Sequence, residues 1–238
     1  MTLRSIASPT LTKPKRLILS NCLAFFDFDN TLTTFDVFDE ILERFSVDDE
    51  WRKLEEAWQA GKIGSKECLE GQLRSVRVTK ERLARYLSTV TIDPHFHELL
   101  ALFKGQKIPV VIVSDNFSFI VREILRRNGI SGVRVYYNRV RFSRDRMIPS
   151  FPYGNGECSR CAHCKKVHLL NHKGKTHIYV GDGLSDICPA EEADLVFAKG
   201  SLLEYLKSCQ KPCVPFENLG DVYHYLLELD HDSKSQAR

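Results

Sequence analysis

A chain of 238 residues is long enough to bury a sizeable core, as one domain with an insertion or as two small domains. Its 34 basic and 31 acidic side chains give a formal net charge of +3, so there is no electrostatic case for a nucleic-acid partner. No window approaches ~20 uncharged apolar residues, so we expect neither a membrane-spanning segment nor a membrane partner. Most of the eight cysteines are scattered like reduced thiols, and we therefore expect a cytoplasmic location.

Residues 1–20 are predicted to form an N-terminal arm. Acidic residues are absent before Asp27, which is a property of organelle-targeting peptides. Pro9 and Pro14, however, interrupt any amphipathic helix in this short stretch, and an arm is the better interpretation.

The first predicted element is a strand over Cys22–Phe26. Its residues are continuously apolar, as in a strand of a parallel sheet that is covered on both faces. Two carboxylates, Asp27 and Asp29, follow directly. Carboxylates at the end of a buried strand have a desolvation cost that a bound cation would offset. The alternative is an acidic turn that caps the following helix.

Residues 35–93 carry helical patterns and no convincing strand, so we predict a helical cap inserted after the first strand. The acidic and hydroxyl residues near Asp48 and Thr79 are typical of helix starts. Trp51 and Trp58 are expected in the interior of this cap rather than in a binding site.

After the cap, strands and helices alternate. The predicted strands are 108–113, 133–137, 177–180, 195–198 and 213–216. The predicted helices are 95–103, 117–127, 202–207 and 219–229. This alternation predicts an α/β fold with a Rossmann-like parallel sheet and helices on both faces. Its core would comprise 21–34 and 94–230, with 138–156 as a long hairpin or flap and 231–238 as a polar tail.

Polar side chains recur beside the ends of these predicted strands. Ser114 follows the second strand, Lys165 or Lys166 precedes the fourth, and Asp182 and Asp186 follow it. Ligands of parallel sheets bind at the carboxyl ends of strands, so we expect these side chains to meet the first two carboxylates. Ser114 has an alternative role as the N-cap of the next helix.

Four segments carry a resemblance to a known family. They are Phe26-Asp27-Phe28-Asp29-Asn30-Thr31, Ser114, Cys164-Lys165 and Gly181-Asp182-Gly183-Leu184-Ser185-Asp186. In this order they resemble the motifs of the haloacid dehalogenase superfamily of phosphatases, from Leu23 to about Leu229. The helical insertion is similar to the cap of the phosphoserine-phosphatase-like subgroup. The resemblance therefore implies a Rossmann-like phosphatase core with a cap over its site.

The resemblance also implies roles for individual residues. Asp27 would be the nucleophile that forms an aspartyl-phosphate, and Asp29 the general acid and base. Asp182 would bind Mg²⁺ together with Asp27 and the backbone carbonyl of Asp29, and Asp186 would orient that metal site. Ser114 and Lys165 would bind the phosphate, with Lys166 as the alternative lysine. The carboxylate pair favours a phosphatase over a dehalogenase or an ATPase of the same superfamily.

The substrate is expected to be a small phosphate ester, because a cap beside the site would exclude macromolecules. Two branches of the subgroup have similar motifs. One acts on 2-hydroxy-3-keto-5-methylthiopentenyl-1-phosphate and the other on phosphocholine and phosphoethanolamine; phosphoserine is a further candidate. Asp36 could contact a polar or cationic substrate, or be an ordinary acid in a first helical turn. A monomer or homodimer is expected, and a catalytically silent binding module is the alternative from another functional class.

Three cysteines, Cys158, Cys161 and Cys164, have the spacing of metal ligands. A structural Zn²⁺ site would need a fourth ligand, for which His163 and His168 are close enough in sequence. The preferred interpretation is a compact turn that leads into the lysine helix, with buried thiols as small apolar side chains. A reversible disulfide is a third possibility.

Overall fold

The computed structural model describes residues 21–154 and 160–235, with side chains to residue 229. Its strands are β1 (Cys22–Phe26), β2 (Val110–Phe117), β3 (Arg134–Ser143), β4 (Arg146–Ser150), β5 (Thr176–Gly181), β6 (Leu195–Ala198) and β7 (Val214–Pro215). Its helices are α1 (Val37–Phe45), α2 (Glu50–Gln59), α3 (Ser65–Ser75), α4 (Lys80–Leu87), α5 (His95–Gly105), α6 (Ser118–Arg127), α7 (Lys165–Leu170), α8 (Ile187–Glu192), α9 (Gly200–Ser208) and α10 (Leu219–Ser235). The predicted N-terminal arm lies outside the described residues.

All the strands belong to one sheet with the order β4-β3-β2-β1-β5-β6-β7. Every neighbouring pair is parallel except β3 and β4, which are antiparallel. The central strand β1 therefore has β2 on one side and β5 on the other. The chain order reverses direction at this point, and the carboxyl end of β1 is where a doubly wound sheet opens a crevice for ligands.

Alternate residues of β1 contribute to cores on opposite faces of the sheet. Leu23 and Phe25 pack in one cluster, while Ala24 and Phe26 pack in the other. The Phe26 ring meets the Phe96 ring of α5 edge to face at 5.4 Å. Burial on both sides explains the continuous apolar sequence and confirms the predicted α/β fold.

The helices α1 to α4 follow β1 directly, and among the described residues no strand lies between them. Two isolated antiparallel β-bridges, Thr33–Ile92 and Ser46–Val76, connect parts of this segment. The Thr79 hydroxyl accepts a hydrogen bond from the Arg82 amide at 3.3 Å, as an N-cap does. The division into core and cap at residues 35 and 93 stays a prediction.

Three elements extend well past their predicted ends. Strand β2 continues beyond residue 113 to Phe117, and its register against β3 shifts between Val113 and Phe117. Strand β3 continues past its predicted end at residue 137 and forms an antiparallel hairpin with β4, which agrees with the hairpin alternative for residues 138–156. Helix α10 extends to Ser235, past the predicted end at Leu229. In β2 and α10 polar residues continue an element whose apolar pattern has already ended.

Helices that are long and apolar enough to span a bilayer are absent from the part of the chain that the structure describes.

Candidate active site

A cavity lies at the carboxyl end of β1, between the sheet and helices α1 to α3. The sheet side contributes Asp27, Asp29, Asp115, Asn116, Lys165 and Asp182. The helical side contributes Asp36, Asp39, Glu55, Trp58, Cys68 and Gln72, among others. The structure thus brings the predicted residues Asp27, Asp29, Asp36, Lys165 and Asp182 together at one cavity, whereas Ser114 and Asp186 are fully buried and do not line it.

Lys165 is the centre of a buried ion-pair network. Its Nζ lies 2.6 Å from Oδ1 of Asp27 and 2.7 Å from Oδ1 of Asp186, and it donates to the Ser185 hydroxyl at 3.0 Å. Burial by itself would lower the pKa of Lys165, yet attraction to Asp186 and Asp27 raises it well above its usual value. The ammonium group therefore stays charged beside the predicted nucleophile.

Asp186 is fully buried, and both of its carboxylate oxygens are used by other groups. Oδ2 accepts hydrogen bonds from the Asp182 and Gly183 amides, each at 3.0 Å. Oδ1 accepts from Lys165 and from the Tyr179 hydroxyl at 2.6 Å. This close approach requires glycine at position 181, where a Cβ would lie 2.6 Å from Asp186 Oδ2. The four bonds favour an orienting role for Asp186 over direct metal ligation.

Asp29 is held by neutral donors only. The Asn116 amide group donates to both of its carboxylate oxygens at 3.1 Å, and the Val37 amide donates to Oδ1 at 3.1 Å. Burial, followed by repulsion from Asp36, raises the pKa of Asp29 well above its ordinary value. A carboxyl group with a raised pKa is suited to donate a proton at neutral pH, which is the predicted role.

A divalent cation fits one place in this cavity. Asp27, Asp182 and Asp186 each offer a carboxylate oxygen, and these atoms lie within 4.8 Å of one another. Burial, together with repulsion from Asp186, raises the pKa of Asp182 to about 7. Burial likewise raises the pKa of Asp27 well above its usual value, although Lys165 opposes this shift. A set of mutually repelling carboxylates is the donor set of a hard cation such as Mg²⁺.

Ser114 is fully buried in β2, and its Oγ accepts a hydrogen bond from the Asn116 amide at 3.0 Å. The alternative N-cap role is wrong, because β2 continues to Phe117 and α6 begins at Ser118. The hydroxyl hydrogen of Ser114 is not used in the Asn116 bond, so it can still be donated to a phosphate oxygen. The predicted phosphate contact of Ser114 stays a prediction.

Two buried histidines connect Ser114 to the lysine helix. Nδ1 of His163 lies 2.8 Å from the Ser114 carbonyl oxygen, and Nε2 of His163 lies 2.6 Å from Nε2 of His168. A carbonyl oxygen only accepts, so His163 carries its proton on Nδ1 and His168 donates from Nε2. Neither nitrogen of His163 is then available as a Zn²⁺ ligand.

We expect His163 and His168 to remain neutral well below pH 6.5. Burial lowers the pKa of His163 to about 3 and that of His168 to about 4. In the unfolded chain both would titrate near their ordinary value of about 6.5. The pair's contribution to the free energy of unfolding is therefore present above that pH and is lost as the pH falls toward 4. A histidine NMR titration measures this directly.

His95 is the internal control for that titration, because its hydrogen bond with Glu98 raises its pKa. Its signal should shift at a higher pH than the signals of both buried histidines. A common midpoint for all three residues would show that the buried pair is not held neutral.

Lys166, the neighbouring lysine, does not line the cavity. Nζ of Lys166 lies 2.5 Å from Oε1 of Glu192, and both side chains are about one-third exposed. Lys165 and not Lys166 is thus the lysine in the cavity, as the motif register favours.

The structure tests the predicted Zn²⁺ site at the three cysteines only in part. Cys158 lies outside the described residues, while Cys164 is buried and directly precedes α7. Among the described residues, the metal-ligand group is the Asp27, Asp182 and Asp186 set, and it contains no cysteine. A Zn²⁺ site at Cys158, Cys161 and Cys164 therefore has no support from the described part of the chain.

Several residues of the site have no signal in the sequence. Asn116 and Tyr179 lie within strands, and only the folded chain shows that they hold Asp29 and Asp186. Thr31 belongs to a recognised motif, and its hydroxyl donates to Asp182 Oδ1 at 3.1 Å. The interpretation of Trp58 as interior is incomplete, because this half-buried ring lines the cavity.

Comparisons with known proteins show the family of this chain. The family model described as "haloacid dehalogenase-like hydrolase" matches residues 24–191. A relative from Geobacillus thermodenitrificans, named 2-hydroxy-3-keto-5-methylthiopentenyl-1-phosphate phosphatase, is 30% identical over 224 residues, which cover 91% of this chain and 98% of the relative. A relative of the same name from Microcystis aeruginosa is 27% identical over 210 residues, covering 87% and 99% of the two chains.

Solved structures share the fold. A phosphoserine phosphatase described as a phospho-aspartyl intermediate analogue has a TM-score of 0.65 and 22% identity, covering 85% of this chain and 97% of that chain. A substrate-bound phosphoserine phosphatase gives the same values. At this identity the likeness concerns the fold alone.

Proposed function

The chain belongs to the haloacid dehalogenase-like hydrolase family and is a phosphatase, and from this premise we propose that it hydrolyses a small phosphate ester through an aspartyl-phosphate on Asp27. The observation that carries this proposal is the contact of Lys165 Nζ with Asp27 Oδ1 at 2.6 Å in a cavity at the end of β1. The network keeps a cation beside the attacking carboxylate, as phosphoryl transfer requires.

In the first step an oxygen of Asp27 attacks phosphorus, and the bond between phosphorus and the ester oxygen breaks. The leaving oxygen takes the proton of Asp29. In the second step Asp29 accepts a proton from water while that water attacks the phosphorus of the aspartyl-phosphate. Inorganic phosphate leaves, and Asp27 is again a carboxylate. The raised pKa of Asp29 supports both proton transfers.

Mg²⁺ is the proposed cofactor, held by Asp27, Asp182 and the backbone carbonyl of Asp29. When bound, it would neutralise charge on the phosphate oxygens. Asp186 orients the loop that carries Asp182, because it accepts hydrogen bonds from the Asp182 and Gly183 amides. Carboxylate oxygens of Asp27 and Asp182 that lie within 4.8 Å of one another support a hard cation at this place.

Two substrate classes are candidates. The names of the relatives favour 2-hydroxy-3-keto-5-methylthiopentenyl-1-phosphate. The second class is esters with an ammonium group, such as phosphocholine, phosphoethanolamine and phosphoserine. It is favoured by the acidic residues Asp36, Asp39 and Glu55 on the helical wall, which is the side of the cavity formed by α1 to α3. Oligomeric state and location in the cell stay predictions. A silent binding module is set aside, since each of the residues that the chemistry needs is present.

The test is phosphate release from a panel of these esters and a generic aryl phosphate. With Mg²⁺ we expect turnover of the aryl phosphate and of at least one metabolite. With a chelator in place of Mg²⁺ we expect turnover to fall at least about a hundredfold, since the charge on the phosphate is then not neutralised. A folded, Mg²⁺-loaded protein that releases phosphate from none of them would refute the proposed function.

A further inference from the structure

The helical wall of the cavity is strongly acidic. Asp36, Asp39 and Glu55 all line it, opposite the phosphate-binding residues of the sheet. They share the cavity with Asp27 and Lys165, so they are part of the reaction site and not a separate surface cluster. These three carboxylates would therefore contact the part of the substrate that extends away from the phosphate.

Among the described residues, no basic side chain forms an ion pair with this wall. Lys165 is the one lysine or arginine among the described residues that line the cavity, and it is paired with Asp27 and Asp186. Neither Asp39 nor Glu55 forms an ion pair with a described lysine or arginine. Burial, then repulsion from Asp36 and Glu55, raises the pKa of Asp39 to about 7. A cation in the cavity would relieve this repulsion.

Glu55 is held in position by neutral donors. Gln59 donates to Oε1 and Gln72 to Oε2, each at 3.0 Å, and the Cys68 thiol lies 3.9 Å from Oε2. Gln72 is itself 1% exposed, so the glutamate is fixed from the protein side. These bonds orient the carboxylate without cancelling its charge.

Asp36 differs from Asp39 and Glu55 because its carboxylate caps a helix. Its Oδ1 accepts hydrogen bonds from the Phe38 and Asp39 amides at 2.9 and 3.0 Å, which makes it the N-cap of α1. The two predicted roles of Asp36 are therefore compatible, since it caps the helix and also lines the cavity.

An aromatic ring lies in the same wall. Trp58 lines the cavity, and its indole N–H donates to the Ser65 hydroxyl at 2.9 Å, which fixes the orientation of the ring. Trp is the aromatic side chain that best attracts ammonium groups. Carboxylates and an indole together are thus a recognition set for a cation.

We propose that Glu55 and Asp39 determine substrate specificity by binding a cationic ammonium group of the phosphate ester, with Trp58 beside it. This inference rests on the proposed phosphatase function and deepens it. An ester whose far end is neutral would leave the wall's charges uncompensated. A carboxylate at that end with no ammonium group beside it would be repelled, because every described basic group of the cavity is already engaged.

The experiment compares esters that differ only in charge. Phosphocholine is paired with 3,3-dimethylbutyl phosphate, and phosphoethanolamine with propyl phosphate; in each pair carbon replaces the ammonium nitrogen. For the wild-type protein we expect kcat/KM to favour the charged member of at least one pair by about tenfold or more. In Glu55→Gln and in Asp39→Asn we expect that ratio to fall by about tenfold.

Glu56→Gln is the matched control. Glu56 is the next residue of α2 and is exposed outside the cavity, so its variant should keep the wild-type ratio. Ratios near one in both pairs for the wild-type protein, or equal ratios in Glu55→Gln and wild type, would overturn the inference. The aryl phosphate separates the two proposals: its turnover together with ratios near one refutes only the cation selectivity.

Discussion

Replacing Asp27 by asparagine should reduce phosphate release at least about ten-thousandfold, because the amide cannot attack phosphorus. Asp27 is 6% exposed, and asparagine has nearly the same shape. The contact of Lys165 with Asp186, which is 2.7 Å in the wild-type chain, does not involve Asp27 and should remain in this variant. The fold should therefore persist, and circular dichroism together with thermal unfolding would confirm that the loss is chemical.

Asp29→Asn is the informative companion to this variant. With an aryl phosphate the leaving group needs no proton, so Asp27 can still be phosphorylated. The second step lacks its base, and we expect the aspartyl-phosphate to accumulate. Mass spectrometry after acid quench should find added phosphate on Asp29→Asn and none on Asp27→Asn. Appreciable turnover by Asp27→Asn, or phosphate attached to another residue, would refute the assigned nucleophile.

Replacing Lys165 by methionine should abolish activity and also destabilise the protein. Lys165 is 2% exposed and contacts two buried carboxylates, Asp27 and Asp186. Removing one partner of a buried ionic network leaves charge uncompensated, at a cost of about 3–5 kcal/mol in the free energy of unfolding. Urea unfolding monitored by tryptophan fluorescence measures this cost.

Lys166→Met provides the matched control at the next position. Its ion pair with Glu192 is partly exposed, and such pairs contribute about 0–1 kcal/mol. We expect near wild-type stability and activity from this variant. If Lys166→Met lost activity while Lys165→Met retained it, the two lysines would have to exchange roles.

The places of Asp27 and Asp182 could be predicted from the sequence because each follows a buried apolar strand. The strand Cys22–Phe26 has the bounds that were predicted, since burial on both faces requires an unbroken apolar sequence. The strand Leu195–Ala198 agrees with its prediction for the same reason. In a parallel sheet the residues after such strands lie at one edge, so the meeting of Asp27 with Asp182 follows from order alone.

Strand ends with polar residues were less predictable. Asp115 and Asn116 look like a loop in sequence, yet β2 continues through them to Phe117, which pairs with Asn138 of β3. Likewise β3 continues into the hairpin with alternating exposure, as strands at a sheet's edge can. A polar residue after an apolar sequence shows where the buried part of a strand ends. The strand itself continues for as long as a neighbouring strand pairs with it.

The sequence alone determined the α/β fold, the family and the carboxylates at the end of the first strand, because these depend on periodicity and motif order. Only the tertiary structure decided between Lys165 and Lys166, since adjacent helical residues point about 100° apart and packing determines which one is buried. It also brought Asp39, Glu55 and Trp58 from helices α1 and α2 to face Asp27. Residues that meet across such distances in sequence have no shared pattern, so the charge of the cavity's far wall emerges only in the folded chain.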